Sequence, residues 1–413
     1  EHENSYKQQQ PSPRYNGRDV AIVLAHSFGA KTLLGSATPS IESFSNAKNN
    51  KYGYIELKER YSNTGFPEIV TVDLKEERKH KRLKEEFSEL LLEEIGKVLE
   101  RKKQIIIFQN RRGYTPLWMC NDCSWTAQCN HCNVNLTYHK KTHQLICHYC
   151  NTHYVPESRC RACGSNNVRM LGLGTEKIEE TLELFFPNAK TGRMDLDTMR
   201  SKNAYRKIID DFENGHIDIL IGTQMVTKGL DFSNVSLVAI PSADSILHYP
   251  EFRAHEKAFQ MFTQVTGRAG RKHEAGKVII QTNDVKHPVL EFIKAHDFEH
   301  FYTRELIERK KFFYPPYSRL IYIELSHVHE QTVEQASQEL AQTLKTKLQK
   351  RLLGPEKPLI NKINNKFLMC MTIKLEKTNS FNDMKHFIAQ SIDDFRMFSH
   401  FKAVRIIVDV DPL

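Results

Sequence analysis

Cysteine spacing is the strongest chemical signal in the sequence. Eight of the nine cysteines lie between residues 120 and 163 and form four C-x-x-C pairs. In each pair a tight turn can direct two thiolates at one metal ion, and two such turns supply four tetrahedral ligands. The pattern predicts two zinc sites with four thiolates each; the alternative, a disulfide framework, is typical of small secreted proteins. The pairs are Cys120 and Cys123, Cys129 and Cys132, Cys147 and Cys150, and Cys160 and Cys163.

The segment between the two inner pairs indicates which pairs share an ion. "NVNLTYHKKTHQLI" (133–146) is typical of a β-hairpin, with "NLTYH" and "HQLICH" as its strands. Because a hairpin brings its ends together, we expect the inner pairs to hold one zinc and the outer pairs the other. Sequential pairing, which joins the first two C-x-x-C pairs, is the alternative. Nearby histidines are expected to be hairpin or surface residues, since eight thiolates suffice: His131, His139, His143, His148 and His153.

The chain on either side of this cysteine module (118–170) alternates strand and helix. "QIIIF" (104–108), "IDILIG", "VSLVAI" and "GKVIIQT" are continuous apolar runs, as expected for strands covered on both faces. Helical spacing marks "FSELLLEEIGKVLERKK", "DTMRSKNAYRKIIDDFENG" and "TEKIEETLELFF", for which Thr175 is the expected N-cap. The alternation predicts a doubly wound parallel α/β domain, with the cysteine module inserted after its first strand, "QIIIF".

The last part of the chain, 296–413, predicts a separate α+β domain with the order β-α-β-α-β. Pro315 and Pro316 should end a basic helix and lead into the first strand. "ERKKFFYPPY" (308–317) interleaves basic and aromatic residues. Such a segment could bind single-stranded DNA or form a partly buried linker.

Two loop segments of the α/β domain carry chemistry. "GTQMVTKGLDF" (222–232) and "QVTGRAGR" (264–271) are predicted to lie at the carboxyl edge of the sheet, where such domains bind ligands. The second segment offers two arginines, whose guanidinium groups stay charged and suit a transferring phosphoryl group. Its two glycines allow the backbone to approach a ligand closely. These residues are Gly267, Arg268, Gly270 and Arg271.

These segments resemble helicase motifs. "QVTGRAGR" resembles motif VI of superfamily 2 helicases, "GTQMVTKGLDF" resembles motif V, and "LLGSATPS" (33–40) resembles motif III. The eight-cysteine block between "FQNRRGY" and "LGLGTEKIEE" is much more specific. Over nearly its whole length the chain resembles the bacterial replication-restart helicases, the primosomal protein N′ or PriA family.

The resemblance implies a domain organisation. "EHENSYKQ" resembles the end of motif II, and the sequence contains no G-x-x-x-x-G-K-[ST], so the chain would be the C-terminal half of a helicase. The implied fold is a RecA-like parallel-sheet lobe 2 with an inserted two-zinc module, a remnant of lobe 1 and a C-terminal α+β domain. The boundaries are 1–60 for lobe 1, 61–117 and 171–295 for lobe 2, 118–170 for the zinc module, and 296–413 for the C-terminal domain.

The resemblance also assigns roles to single residues. Gln264 would contact the nucleotide or the attacking water, and Asp231 would contact the ribose or couple the motifs. ATP and Mg²⁺ are expected cofactors of the full-length protein, besides two Zn²⁺. The implied catalytic residues are Glu1, His2, Gln264, Arg268 and Arg271. The implied nucleotide-binding residues are Asp231, Gly267 and Gly270, and the implied DNA-binding residues are Arg111, Arg112, Thr223, Gln224 and Lys228.

The resulting expectation is an ATP-dependent 3′→5′ DNA helicase that assembles the primosome at stalled or abandoned forks, with this half inactive alone. The alternative is a zinc-centred scaffold that binds DNA or protein without motor activity. The net charge of +9 suits a nucleic-acid partner, and no apolar run approaches the ~18 residues of a membrane span. Expected partners are branched and single-stranded DNA, primosome proteins and single-strand DNA-binding protein. The expected location is the bacterial cytoplasm, and the expected state is a monomer.

Overall fold

The computed structural model describes the chain except residues 58–64, 110–116, 121, 124, 140–141, 172–173, 196–201, 228–231, 271–275, 377–380, 399 and 413. The described residues form two compact units. Unit 1 contains Glu1–Gly53, Leu117–Met170 and Thr303–Leu413, and unit 2 contains Tyr54–Pro116 and Leu171–Tyr302. The division into four domains stays a prediction. No helix in the described ranges has the length and apolar character needed to cross a bilayer.

The regular elements are numbered in chain order. The helices are α1 (Gly17–Ser27), α2 (Ile41–Lys48), α3 (Leu74–Lys79), α4 (Glu89–Glu100), α5 (Thr175–Phe185), α6 (Lys202–Glu213), α7 (Asp244–Leu247), α8 (Ala254–Thr266), α9 (Pro288–Lys294), α10 (Phe298–Lys311), α11 (Glu330–Leu348) and α12 (Phe381–Phe398). The strands are β1 (Glu68–Asp73), β2 (Leu83–Lys84), β3 (Phe87–Ser88), β4 (Gln104–Phe108), β5 (Leu117–Cys120), β6 (Thr137–His139), β7 (Gln144–Ile146), β8 (His153–Tyr154), β9 (Val168–Leu171), β10 (Thr191–Met194), β11 (Ile219–Gly222), β12 (Val235–Ile240), β13 (Lys277–Thr282), β14 (Ser318–His327), β15 (Leu352–Glu356), β16 (Lys362–Ile363), β17 (Lys366–Glu376) and β18 (Arg405–Val410).

Unit 2 is built on a six-stranded parallel sheet with the order β1-β13-β12-β4-β11-β10. Every residue of β4 is buried, which explains its run of three isoleucines. On one face, Leu91 and Ile95 of α4 and Ile178 of α5 pack against Ile105 and Ile107 of β4. The predicted parallel α/β fold is confirmed.

Two details of the predicted α/β domain are wrong. The cysteine module follows the second strand of the sheet, because β1 precedes β4 and pairs with β13. As an edge strand β1 is only partly buried, so it lacks the continuous apolar run that marks the others. Thr175 is the first residue of α5, after Gly174 at the N-cap. Its hydroxyl instead donates to Asp195 Oδ2 at 2.6 Å.

The C-terminal part of unit 1 contains an antiparallel sheet with the order β15-β17-β14-β18, and β16 also pairs with β17. Its core is formed by side chains of α11, α12, β14 and β17. The predicted β-α-β-α-β order is confirmed, with β15 and β16 as additional short strands. Cys370 is buried in β17, as its apolar sequence predicts.

The cysteine module contains five short strands in the order β8-β7-β6-β5-β9. The predicted hairpin is present as β6 and β7, in which Thr137 pairs with Ile146 and His139 with Gln144. The four inner cysteines share the small core of the module with apolar side chains and two tryptophans. This core is small because strands of two to four residues offer little apolar surface.

Two glycines of unit 2 offer a matched test of its packing. A Cβ at Gly222, the last residue of β11, would lie 2.2 Å from Val226 Cγ1 and 2.9 Å from the Met194 carbonyl oxygen. A Cβ at Gly96 in α4 would meet Phe186 Cε1 at an ordinary 3.7 Å. We predict that Gly222→Ala lowers the free energy of unfolding by about 1–3 kcal/mol through overpacking. Gly96→Ala should raise it by about 0.5–1 kcal/mol, because alanine favours a helix.

Denaturant unfolding of the two variants and the unsubstituted chain measures both changes. Destabilisation of similar size in both variants would contradict the packing described around Gly222.

Candidate metal centres and helicase motifs

The outer cysteines converge where the module leaves and rejoins the rest of the chain. Cys120 ends β5, Cys123 follows in the next turn, and Cys160 and Cys163 precede β9. The Sγ atoms of Cys120 and Cys163 lie 3.7 Å apart, and those of Cys123 and Cys160 lie 3.5 Å apart. All four Sγ atoms lie within 4.8 Å of one another.

The inner cysteines converge at the open end of the β6–β7 hairpin. Cys147 follows β7 directly and is fully buried. Its group contains Cys129, Cys132 and Cys150, with 3.6 Å between the Sγ atoms of Cys129 and Cys150. The structure thus brings together the nested groups that the hairpin argument predicts, and it does not join the first two C-x-x-C pairs.

The sulfur spacing fits zinc. A tetrahedral ion with Zn–S bonds of about 2.3 Å places its ligand sulfurs about 3.8 Å apart. The measured separations of 3.5–3.7 Å are close to that value. They are far from the ~2.05 Å of a disulfide, and all eight cysteines are free. Both groups therefore fit a four-thiolate metal site, and the disulfide alternative is not supported.

Backbone N–H groups within the C-x-x-C turns point at the cysteine sulfurs. The backbone N–H of His131 points at Cys129 Sγ and that of Ala162 at Cys160 Sγ, each at 3.4 Å. Gly164 follows the last turn with φ of 74°, a conformation that glycine adopts without strain. Backbone N–H groups of the turns themselves thus contact one sulfur in each group.

One thiol in each group ionises easily. Burial opposes ionisation of Cys150, but hydrogen bonds to the side chain and backbone of Thr152 lower its pKa to about 6. Burial likewise opposes ionisation of Cys160, and backbone N–H groups of Cys163 and Ala162 lower its pKa to about 7. By contrast, burial raises the pKa of Cys147 to about 12. Hydrogen bonding thus favours the thiolate form of Cys150 and Cys160, whereas burial disfavours it at Cys147.

Tyr154 supports the inner group and was not predicted from the sequence. Its hydroxyl accepts a hydrogen bond from the Asn130 backbone N–H at 3.0 Å and lies 3.3 Å from Cys129 Sγ. Burial and the contact with Cys129 raise the pKa of Tyr154 to about 12, so the hydroxyl stays protonated. It can then donate to the Cys129 thiolate. A single tyrosine in a polar segment gives no sequence signal for this role.

Other aromatic residues of the module serve its packing. Trp118 and Trp125 pack against the core that contains the inner cysteines. The Trp118 indole N–H donates to the Glu157 carbonyl oxygen at 3.0 Å. The Nε2 atoms of His139 and His148 lie 3.3 Å apart, and among the described residues no histidine joins either cysteine group.

The two helicase-like loops of unit 2 occupy different edges of the sheet. Thr223 and Gln224 follow β11 at the carboxyl edge, as predicted, and a short turn spans Gln224–Thr227. The second loop is not at this edge, because the Gly270 N–H donates to the carbonyl oxygen of Val235, the first residue of β12. A helix that follows a parallel strand must return to the start of the next strand. The end of α8 therefore lies at the amino edge.

Within the second loop, Gln264 lies in the last turn of α8, which packs against the Gln224–Thr227 turn. Gly270 has φ of 66°, so glycine is favoured there. Gly267 has φ of −63°, which any residue can adopt. Arg268, between them, is half-buried.

Five predicted site residues lie outside the described residues, and their roles stay predictions. They are Arg111, Arg112, Lys228, Asp231 and Arg271.

At the start of the chain, the segments resembling motifs II and III are in contact. The Glu1 carboxylate accepts hydrogen bonds from the Ser40 backbone at 2.5 Å and from the Ser43 hydroxyl and Arg18 guanidinium at 2.9 Å each. Burial opposes ionisation of Glu1, but these donors lower its pKa. His2 Nδ1 lies 2.6 Å from Ser36 Oγ. Glu1 and His2 are thus held against the 33–40 segment; their catalytic role stays a prediction.

Three protein-family models match parts of the chain. "Helicase conserved C-terminal domain" matches residues 165–273, which contain both loops described above. "PriA DNA helicase Cys-rich region domain" matches residues 129–153, the inner cysteine group. "Primosomal protein N C-terminal domain" matches residues 310–413. Together, fold and matches define a helicase C-terminal lobe that carries a cysteine-rich insertion.

Curated relatives define the family more closely. Replication restart protein PriA of Bacillus subtilis is 37% identical over 414 residues, which cover 100% of this chain and 51% of that protein. The proteins of that name from Synechocystis sp. and Chlamydia trachomatis are 37% and 42% identical and cover 91% and 78% of this chain, but 46% and 43% of their own lengths. The chain belongs to the PriA family. It spans about half the length of the curated relatives it matches.

The nested groups predict a specific response to cysteine substitution. We predict that the purified chain holds two zinc ions and that Cys147→Ser retains one, with loss of order at the hairpin. Cys120→Ser should also retain one but free the base of the module, because the outer group closes it. Cys370→Ser, outside both groups, should retain two. Metal analysis and native mass spectrometry count the ions.

A chain with a single zinc would contradict this arrangement. So would a Cys147→Ser variant whose remaining zinc depends on Cys129 or Cys132.

Proposed function

We propose that this chain forms part of an ATP-dependent 3′→5′ DNA helicase that restarts replication at stalled or abandoned forks. Its main support is the contact between the two helicase-like segments: α8, in whose last turn Gln264 lies, packs against the Gln224–Thr227 turn. This contact links the helix that contains the start of "QVTGRAGR" to the turn within "GTQMVTKGLDF", in a chain whose relatives are named replication restart proteins. The zinc-centred scaffold without a motor has less support, because it leaves these loops without a role.

In this proposal the loops divide the work. Arg268 and Arg271 stabilise the charge of the transferring phosphoryl group, and Gln264 contacts the nucleotide or the attacking water. Thr223, Gln224 and Lys228 contact the DNA strand, and the contact of α8 with the Gln224–Thr227 turn links the two tasks. Asp231 contacts the ribose or couples the loops.

Glu1 and His2 would also take part in ATP hydrolysis, with ATP and Mg²⁺ as cofactors. Contact with Ser36 and Ser40 ties both residues to the 33–40 segment. No phosphate-binding G-x-x-x-x-G-K-[ST] occurs in this sequence, so the proposal assigns the phosphate-binding loop to another part of the helicase.

The two cysteine groups would hold two Zn²⁺ ions, one each. Zinc supplies rigidity to a segment whose own core is small, because binding energy becomes folding energy. A rigid module can separate strands or receive a partner protein. We propose fork DNA and single strands as nucleic-acid partners, with Arg111 and Arg112 as DNA contacts, and primosome proteins and single-strand DNA-binding protein as protein partners, in a monomeric protein of the bacterial cytoplasm.

The arginine role makes a quantitative prediction. In a full-length protein with a P-loop, Arg268→Ala or Arg271→Ala should lower kcat for ATP hydrolysis by about 10³-fold if the residue acts as an arginine finger. Arg206→Ala, an exposed arginine on α6, is the matched control and should leave kcat unchanged. DNA-stimulated phosphate release measures the rates. Near-normal turnover in both loop variants would place the finger elsewhere.

The 413-residue chain alone should show no DNA-stimulated ATP hydrolysis. The β- and γ-phosphates and Mg²⁺ need groups that this sequence does not contain. Zinc-loaded chain, assayed beside the full-length protein, tests this, and turnover above background would refute it.

A further inference from the structure

A two-residue turn of the C-terminal domain reaches the cysteine module. Asn364 and Asn365 connect β16 to β17, in which Ile363 pairs with Lys366. Their φ angles are 50° and 60°. A two-residue hairpin loop of this type requires positive φ at both positions, which asparagine tolerates well. The turn is therefore fixed by its own sequence.

Three hydrogen bonds, each donated by a backbone N–H, join the β16–β17 hairpin to the Cys129–Cys132 turn of the inner cysteine group. One of them ends on a cysteine sulfur rather than on a carbonyl oxygen. The bonds run from Asn364 N to Cys132 Sγ at 3.1 Å, from Asn365 N to the His131 carbonyl oxygen at 2.8 Å, and from Asn133 N to the Lys362 carbonyl oxygen at 2.9 Å.

Side chains add to the contact. Asn133 Nδ2 donates to Asn361 Oδ1 at 2.8 Å, and His131 Nδ1 lies 3.1 Å from Asn365 Oδ1. Ile363 packs against the core that contains the inner cysteines. The contact thus combines backbone pairing, polar side chains and apolar burial.

The bond to sulfur has a clear physical consequence. Cys132 is 2% exposed, so water contributes little to stabilising a thiolate there. An N–H at 3.1 Å replaces part of that solvation. The N–H donors of His131 and Ala162 lie in the turns they serve, whereas Asn364 is 232 residues away from Cys132.

We propose, given the two zinc sites proposed above, that the Asn364–Asn365 turn is a functional part of the inner zinc site. The Asn364 N–H stabilises the Cys132 thiolate and slows zinc release. Zinc fixes the shape of the Cys129–Cys132 turn and thereby holds the module on the C-terminal domain. Because such coupling is reciprocal, loss of the inner zinc loosens the turn, and loss of the turn loosens the zinc. The outer zinc site does not contribute to this contact between the turn and the module.

Substitution of Asn364 tests the first half. Asn364→Pro removes the N–H and cannot adopt φ of 50°, whereas Asn364→Gly keeps both the N–H and the turn. Zinc release to excess chelator is followed in the full chain, and the phase absent from Cys147→Ser identifies the inner site. Release from the inner site should be at least about tenfold faster in Asn364→Pro, as expected when a supporting hydrogen bond to a metal ligand is lost. Asn364→Gly should release zinc at the unsubstituted rate.

Hydrogen exchange on chains with an intact turn tests the second half and does not depend on the folding of Asn364→Pro. Amides of 361–366 should exchange faster in Cys147→Ser, which empties the inner site, than in Cys120→Ser, which empties the outer one. Amides of β14 should stay protected in both.

Inner-site release at the same rate in Asn364→Pro and Asn364→Gly would overturn the proposed role of the turn. So would equal exchange of 361–366 in the two cysteine variants. Fewer than two zinc ions in the unsubstituted chain would instead overturn the zinc sites themselves, and this inference with them.

Discussion

Closure of two nested four-thiol groups is the constraint on which the cysteine module depends. Its strands have two to four residues, and its core consists largely of cysteine and aromatic side chains. Such a segment buries too little apolar surface to offset the conformational entropy of ordering it. Structural zinc in finger peptides contributes about 10–16 kcal/mol, which is enough to fold a segment of this size. The inner group closes the hairpin, and the outer group then fixes both ends of the module.

The parallel sheet of unit 2 depends on a different force. Its central strands are buried along their length and need no metal, because β-branched side chains fill both faces. The loops that carry Gln224 and Arg268 are positioned by this rigid sheet from opposite edges. The second loop is bonded to Val235, the first residue of β12, and α8 packs against the Gln224–Thr227 turn that follows β11. The two helicase-like segments are therefore linked by the packing of α8 against the Gln224–Thr227 turn, and not by a shared edge of the sheet.

The sequence predicts those elements that are determined by a short continuous stretch of residues. "QIIIF" is predictable as a buried strand because three isoleucines and a phenylalanine favour one, and the thiol grouping follows from one hairpin. The sequence does not reveal β1, because an edge strand needs only partial burial. Thr175 does not act as the N-cap, because its hydroxyl bonds Asp195, twenty residues on. The second loop can be assigned to the amino edge only when the direction of α8 relative to the sheet is known. The contacts of Tyr154 and Asn364 with cysteine sulfur depend on folded geometry that no local pattern encodes.

X-ray diffraction at the zinc absorption edge tests the nested arrangement most directly, because anomalous scattering locates the metal without reference to the chain. The account predicts two anomalous peaks per chain. Each should lie about 2.3 Å from four sulfurs. One should be ligated by Cys129, Cys132, Cys147 and Cys150, and the other by Cys120, Cys123, Cys160 and Cys163. A single peak, or a peak ligated jointly by Cys123 and Cys129, would contradict it.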